Sequence, residues 1–404
     1  MSSPLYLCYG CETGVLVQVI GSDFTTQKKL TFTALIAFLG SFFLPFFVFR
    51  ENRVASALVG ELSLYSKLPL LIPPLLLIAS LILYKHRFSR PLVPLSGALG
   101  IILPTFLLLE RGGGAVLDIG PLARYSPGSG FYLYLMATVV IFAMQRRLTL
   151  YDYGALLLAL LLLIVATPRD NLAHLSLVLE AKNIGPRLGR EIVSHIRITL
   201  VSLLVSVLVG LPLALLAFRR ESFKKGVFLI LNLGQTIPAI ALFGLLIAPL
   251  SSLSQALPLL RGWGLKGIGN APAILALSLY GLYPIVRYSY SAFDNIDSGV
   301  IESATGMGMT QGELWRIVRL PLATPTILNG VRVTLVQTIG NATLAKLIGG
   351  DGLGVLVFEG LGQASSDMVL LGMLLIVALT LIGDSLFQLI IFLTTPKALR
   401  RSYG

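Results

Sequence analysis

The sequence predicts an all-α polytopic membrane protein of about ten transmembrane helices. Of its 404 residues, 55% are apolar and only 12% charged. Mean hydropathy is +0.85, and apolar runs close to the roughly 20 residues a helix needs to cross a bilayer recur along the whole chain. That composition excludes a soluble fold built on one large core. A formal net charge of +12 would suit a nucleic-acid binder. The basic residues, however, sit in short clusters at the ends of apolar runs, so the charge reports loop sidedness, and the expected environment is the lipid bilayer, with no nucleic-acid partner.

Taken in order, five candidate spans fill the first half, at roughly 30–49, 67–84, 91–109, 128–145 and 152–168. Pro73, Pro74 and Pro104 are expected to kink their helices, which membrane helices tolerate. A polar stretch over 169–194, containing Gly185, Pro186 and Gly189 and preceded by Pro168, reads as a periplasmic linker between an N-terminal membrane module, 1–168, and a second module, 195–396. Five further spans follow at roughly 196–218, 226–250, 270–290, 324–347 and 367–394.

Orientation follows from basic residues in alternate loops. Of the 31 Lys and Arg, 17 fall in segments that are cytoplasmic if the N-terminus is inside and 12 in the alternate segments, five of these in the long stretch 169–197. Both termini are therefore expected in the cytoplasm, and so is the polar segment 302–321. The first apolar run begins near Leu30 behind a polar tail without a cleavage pattern, so no secretory leader is expected. Cys8 and Cys11 form one Cys-x-x-Cys pair in that tail. Two ligands without a strand–helix context predict neither a metal site nor a redox motif.

The segment 302–321 is the most informative part of the chain. Thr310 and Glu313 have capping-box spacing, and Asp297 or Ser298 can cap a preceding short helix that ends near Gly306 and Gly308, where glycine lets the backbone turn. Leu314, Trp315, Ile317 and Val318 give the second helix an apolar side, and Pro321 is expected to end it. Two capped short helices between membrane spans suit insertion into a partner's groove. The bland reading is an amphipathic helix lying on the bilayer surface.

The same residues resemble the cytoplasmic coupling motif of ABC-type import permeases, with Glu302, Ala304, Gly308, Leu320 and Pro321 at the motif positions, Ser303 replacing the second motif residue and Val318 an isoleucine. Residues from about 195 to 394 further resemble the permeases of osmoprotectant importers of the glycine betaine, choline and carnitine type. That likeness runs through His195–Leu200, Gln235–Pro238, Leu282–Arg287, Gly306–Met309, Gly340–Leu344 and Gly349–Gly354. The resemblance implies a C-terminal five-helix type I ABC importer core in the bacterial inner membrane. It also implies separate ATPase subunits that carry ATP and Mg, a second permease subunit and a periplasmic or lipid-anchored solute-binding protein. The first half carries no assignable motif, and the whole looks like the longer subunit of such systems.

The chemistry that is missing points the same way. No Gly-x-x-x-x-Gly-Lys-Ser/Thr phosphate loop is present, so no cofactor is expected on this chain and ATP is hydrolysed elsewhere. No nucleophile–base pair, catalytic cluster or metal spacing appears. His86, His174 and His195 read as interfacial. Within the spans, Gln235, Pro238, Asn341 and Thr343 are candidate pathway residues, with helix–helix hydrogen bonding as the equal alternative for the polar ones. Gly350, Gly352 and Gly354 fit a re-entrant gate loop. Lys346 either snorkels to the outer interface or faces the pathway, where it would disfavour a plain cation. Arg332 and Asp384 lie at matching depths and form a candidate intramembrane ion pair. Two rivals remain: import of another small solute such as an amino acid, and a duplicated secondary transporter, which the absence of a second glycine loop in the first half disfavours.

Overall fold

A computed structural model describes residues 24–53, 58–60, 67–82, 92–117, 122–143, 169–262 and 266–395. The expected span 152–168, the pair Cys8 and Cys11, and His86 lie outside those residues. The chain divides into two compact units, Met1–Asn183 and Ile184–Gly404, and the described residues of both are mostly helical.

In the first unit α1 (Phe24–Ser41) leads into strands β1 (Phe47–Arg50) and β2 (Leu58–Gly60). A 3-10 turn at Leu68–Leu71 opens α2 (Ile72–Ile82), and α3 (Leu92–Leu107) runs through a π turn, Leu108–Gly112, into α4 (Gly113–Leu117). Strand β3 (Arg124–Pro127), α5 (Ser129–Ala143), α6 (Arg169–Ala173) and α7 (Ser176–Ile184) complete it. The three strands form an antiparallel sheet in the order β2-β1-β3, with Val48 opposite both Val59 and Ser126. The all-α expectation is corrected here. The helix expected over 30–49 stops at Ser41, ahead of Pro45, and the aromatic run Phe46, Phe47, Phe49 prefers a pleated, half-buried surface. Those rings, with Phe38, Tyr125 and Tyr134, are buried in one cluster. Tyr134 also donates to Leu70 O at 2.9 Å.

One further expectation changes in this unit. Pro73 and Pro74 do not kink a span; they occupy the first turn of α2, where a missing N–H costs nothing. The polar stretch 169–194 carries two short helices, α6 and α7, and the start of a long one at Pro186. Glu180 on α7, fully buried, accepts from Arg124 Nη1 at 2.9 Å and from Arg53 Nε at 3.0 Å. A buried carboxylate needs such partners.

The second unit is built from α8 (Pro186–Arg219), α9 (Glu221–Thr236), α10 (Ala239–Ala256), α11 (Pro258–Gly262), α12 (Asn270–Asp294), α13 (Ser298–Gly306) and α14 (Gln311–Glu313). A π segment, Leu314–Arg319, then continues into α15 (Leu320–Ala342), a 3-10 stretch (Thr343–Ile348), α16 (Gly354–Gly362) and α17 (Ser366–Thr394). The expected span 226–250 is in fact two helices. They part at Ile237 and Pro238, both extended, because proline pushes its predecessor out of helical angles. Among the described residues four helical stretches are long and apolar enough to cross a membrane: Leu95–Val116, Pro186–Arg219, Ala239–Ala256 and Ser366–Thr394. α12 and α15 are long enough, at 25 and 23 residues, but more polar. They lie in the middle of the bundle, packed on α8 and on each other, with α17 against α15.

Small residues let those helices meet. A Cβ on Gly281 of α12 would overlap Ser206 Oγ of α8 and come within 2.9 Å of a Thr334 methyl on α15. One on Gly210 would meet Ile285 at 2.6 Å, and one on Gly330 would meet Tyr288 at 2.6 Å. Serines finish the seam: Ser206 Oγ donates to Ser278 O at 2.9 Å, and Ser202 Oγ to Ile274 O at 3.3 Å. Lipid removes most of the hydrophobic drive between helices, so close packing and such bonds, about 0.6 kcal/mol each on average, hold the bundle.

α15 and α17 share a stronger tie. Arg332 Nε and Nη2 donate to Asp384 Oδ1 and Oδ2 at 2.5 and 2.8 Å, and Gln388 adds a bond to Oδ2 at 2.7 Å. This is the bidentate geometry that makes arginine–carboxylate pairs strong. Because an unpaired charge in a span costs about 2.5–3.5 kcal/mol on insertion scales, Arg332→Ala and Asp384→Ala should each lower the thermal stability of detergent-solubilised protein. The swapped double variant, Arg332→Asp with Asp384→Arg, should recover part of the loss. A double variant no better than either single swap would show that the pair does not hold these helices.

Candidate functional site

The polar segment between α12 and α15 is set by local capping. Asp297 accepts from Gly299 N at 2.7 Å and starts α13. The chain turns at Gly308, whose φ of +83° is readily open only to glycine. Thr310 and Glu313 then make a complete capping box: Thr310 Oγ1 accepts from Glu313 N, and the Glu313 carboxylate accepts from Thr310 N at 2.8 Å. The Thr310 N–H, helped by its hydroxyl, holds the Glu313 carboxyl below the usual carboxylate range. The box is therefore complete above the ordinary glutamate pKa and is lost as pH falls through the depressed value.

Pro321 does not end the second helix, contrary to the sequence expectation. Arg319 and Leu320 are helical, and the wider π turn carries the chain into α15, with Leu320 N bonded to Trp315 O. An i→i+5 turn places Pro321 in the first turn of a fresh α register, where its missing N–H is not needed. Glu302 does not anchor α13 within the chain. It is exposed on that helix without a side-chain hydrogen bond, whereas Ala304 is buried. Leu320 is exposed. Between α13 and the π segment lies an open groove of about 490 Å³ lined by Val300, Ala304, Met307, Met309 and Val318. The arrangement is two short rigid helices joined at a glycine turn, with a free carboxylate and a partly apolar groove.

The other cluster surrounds Gly349–Gly354. Gly349 and Gly352 have φ of +76° and +114°, and a side chain on Gly354 would overlap Thr343 O. The loop is gripped from two helices. Glu191 of α8 accepts from Gly352 N at 2.8 Å, and one turn on, His195 Nδ1 accepts from Leu353 N at 3.3 Å. His195 Nε2 faces Ile339 O at 3.1 Å, so the ring carries its proton on Nε2 and is neutral. Ile339 O is available because the Thr343 N–H turns to the Gly340 and Asn341 carbonyls where the 3-10 stretch begins. Asn270, opening α12, donates to Asp351 Oδ2 and accepts from Asp351 N, both at 2.8 Å. Gly350 packs under Ala345 O and Asn270.

His195 is thus fully buried, not interfacial as its position near a membrane edge suggested; His174 is half-buried, its Nδ1 3.0 Å from Ala123 O. Lys346 neither snorkels alone nor stands free in the pathway: its Nζ lies 3.3 Å from Glu359, which Arg187 also grips through two bonds. Arg187 and, secondarily, Lys346 hold the Glu359 carboxyl below its ordinary range. Of the polar pathway candidates, Gln235 donates to Tyr280 O at 3.0 Å, and the Tyr280 hydroxyl donates to Ile237 O at the α9–α10 break that Pro238 creates. Both bonds are helix–helix contacts. Asn341 and Thr343 are half-buried at the end of α15, beside the loop. Among the described residues no group of three or more His, Cys, Asp or Glu is placed to hold a metal.

A family model described as the inner-membrane component of binding-protein-dependent transport systems matches residues 206–394. A second, the N-terminal domain of the ABC transporter permease YehY, matches residues 27–178. The osmoprotectant import permease OsmW of Salmonella typhimurium is 35% identical over 206 residues, covering 51% of this chain and 91% of that protein. The choline transport permease OpuBB of Bacillus subtilis is 33% identical over 217 residues, covering 54% and 93%. In solved structures, an inward-facing methionine transporter, MetNI, matches 53% of this chain and 99% of its own at 23% identity and a TM-score of 0.46. The chain belongs to the family of ABC importer permeases, the inner-membrane components of binding-protein-dependent transport systems.

Proposed function

We propose that this protein translocates a small compatible solute, glycine betaine or a related quaternary ammonium compound, with energy from a separate ATPase that docks on residues 302–321. The observation that carries the mechanism is the pair of capped helices joined at Gly308: it offers a partner a stiff, exposed lever covalently continuous with α15. The substrate class is taken from relatives whose names specify osmoprotectants, choline, carnitine and glycine betaine. On this reading the chain is a transport subunit, not an enzyme. ATP and Mg sit on the partner, a soluble binding protein delivers the solute, and a second permease, a copy or a shorter homologue, completes the pathway. The glycine loop 349–354 acts as the outer gate, and residues upstream of 184 form an accessory membrane module. The binding protein can supply most of the affinity, since an aromatic cage holds a quaternary ammonium by cation–π attraction.

Reconstituted with its ATPase and binding protein, the complex should accumulate radiolabelled glycine betaine or choline only with ATP supplied to the ATPase side. Accumulation driven by an ion gradient alone would overturn the importer reading, and competition by amino acids but not by choline would move the substrate class. Replacing Gly308 by Trp should leave membrane abundance unchanged and reduce uptake at least tenfold, because no large side chain adopts φ +83° cheaply; wild-type uptake at equal abundance would count against 302–321 as the coupling site.

Sidedness is part of the same proposal, with both termini cytoplasmic and the stretch around Asn183 outside. On a background with Cys8→Ser and Cys11→Ser, a cysteine placed at Asn183, which is exposed, should react with an impermeant thiol reagent added to intact spheroplasts. Labelling only after membrane disruption would reverse the topology.

A further inference from the structure

Trp315 occupies a position that neither capping nor the coupling motif explains. Its indole packs edge-on against Phe293 of α12, with centroids 5.4 Å apart, and against Phe218 of α8 at 6.1 Å. Phe218 and Phe293 also touch, at 5.6 Å. Two guanidiniums face the indole: Arg219, the last residue of α8, at 5.4 Å, and Arg319, the last of the π segment, at 5.1 Å. Arg319 lies over the Phe218 ring as well, at 5.4 Å. Ala292, Ala323 and Ile327 close the cluster. One side chain from the coupling segment therefore touches the ends of two core helices and sits beside the start of a third.

Neither arginine has an acidic partner within ion-pair distance among the described residues, and Arg319 Nε is buried without a hydrogen bond. What they face is aromatic surface, whose ring quadrupole attracts a cation from a range of positions over the face. A carboxylate pair would demand one geometry; a guanidinium over a ring can slide and keep its attraction. The contact also lies within a π segment, which carries one residue more per turn than an α-helix and commonly marks functional sites. The backbone hydrogen-bond register therefore changes where the lever joins α15, while the side-chain contacts there are dense.

We propose that Trp315 is the positioning residue of the coupling step: gripped by Arg219 and Arg319, it makes the segment 311–319 and the inner ends of α8 and α12 move together, while the π turn supplies the compliance. A push on the two short helices then reaches three core helices at one point, without passing along α15 alone. This rests on the proposed function above and assigns the transmission to one side chain.

The test uses the complete transporter in proteoliposomes, with ATP hydrolysis and solute uptake measured on the same preparation. Trp315→Leu should hold ATP hydrolysis within about twofold of wild type while uptake falls at least tenfold, so that ATP consumed per solute rises about as much. Trp315→Phe, which keeps a ring for both arginines, should restore at least half of the uptake. A Leu variant with a wild-type ratio of hydrolysis to uptake would overturn the proposal, as would a Phe variant as impaired as Leu. If Trp315→Leu fails to assemble, Arg219→Gln with Arg319→Gln decides, since it keeps the indole: a raised ratio supports the pivot and an unchanged one removes it. Absence of ATP-dependent uptake by the wild-type complex would be a failure of the functional reading itself, distinct from any outcome at Trp315.

Discussion

The structure of the second unit depends on how closely α8, α12 and α15 approach. Gly281 fits between Ser206 and Thr334 only because it has no Cβ, and Gly210 and Gly330 play the same part along the seam. In a bilayer, a leucine face gains little from another leucine face, so helices that must form one body do so by backbone proximity and short polar bonds. Ser202, Ser206 and Ser278 supply those bonds with side chains too short to need extra space. The seam is therefore stiff in the middle, and it leaves the adaptable chemistry for its two ends.

Those ends are held by different physics. At the end that carries the glycine loop the polar contacts are directional: carboxylate and imidazole acceptors on successive backbone N–H groups, an amide–carboxylate clasp at Asp351, and nearby Glu359 shared by Arg187 and Lys346. Such a lattice has one geometry and releases abruptly when it is broken. At the opposite end, around Trp315, aromatic edges and guanidinium faces allow sliding. A bundle with a latch at one end and a sliding joint at the other suits alternation between two packed states without continuous deformation of the core.

Much of this was legible in the sequence wherever the cause is local. Asp297, Thr310 and Glu313 announce their caps within four residues, and the helices expected at 270–290 and 367–394 appear as α12 and α17 because their apolar runs are bounded by polar residues. Failures occurred where a distant partner decides. Nothing near His195 reveals that Leu353 and Ile339 occupy its two nitrogens, and Lys346 gives no hint of Glu359. Pro238 breaks its helix and Pro321 does not, although both are prolines in apolar runs; the difference lies in the π turn and in Tyr280 reaching the Ile237 carbonyl. The small sheet escaped because its strands are three or four residues long, too short for alternation to stand out. The segment 302–321 could be singled out from its motif residues, whereas the role inferred for Trp315 needed the rings of two other helices.

The Arg332–Asp384 pair also bears on how the chain is made. Fifty-two positions separate the two residues, so Arg332 is synthesised before its partner Asp384. During that interval the guanidinium has no carboxylate to meet, and α15 is a poor candidate for release into lipid by itself. Arrival of the last helix would let the two partition together as a neutral unit. A chain truncated ahead of Asp384 would keep the guanidinium of Arg332 without its carboxylate, at the cost that an unpaired intramembrane charge carries.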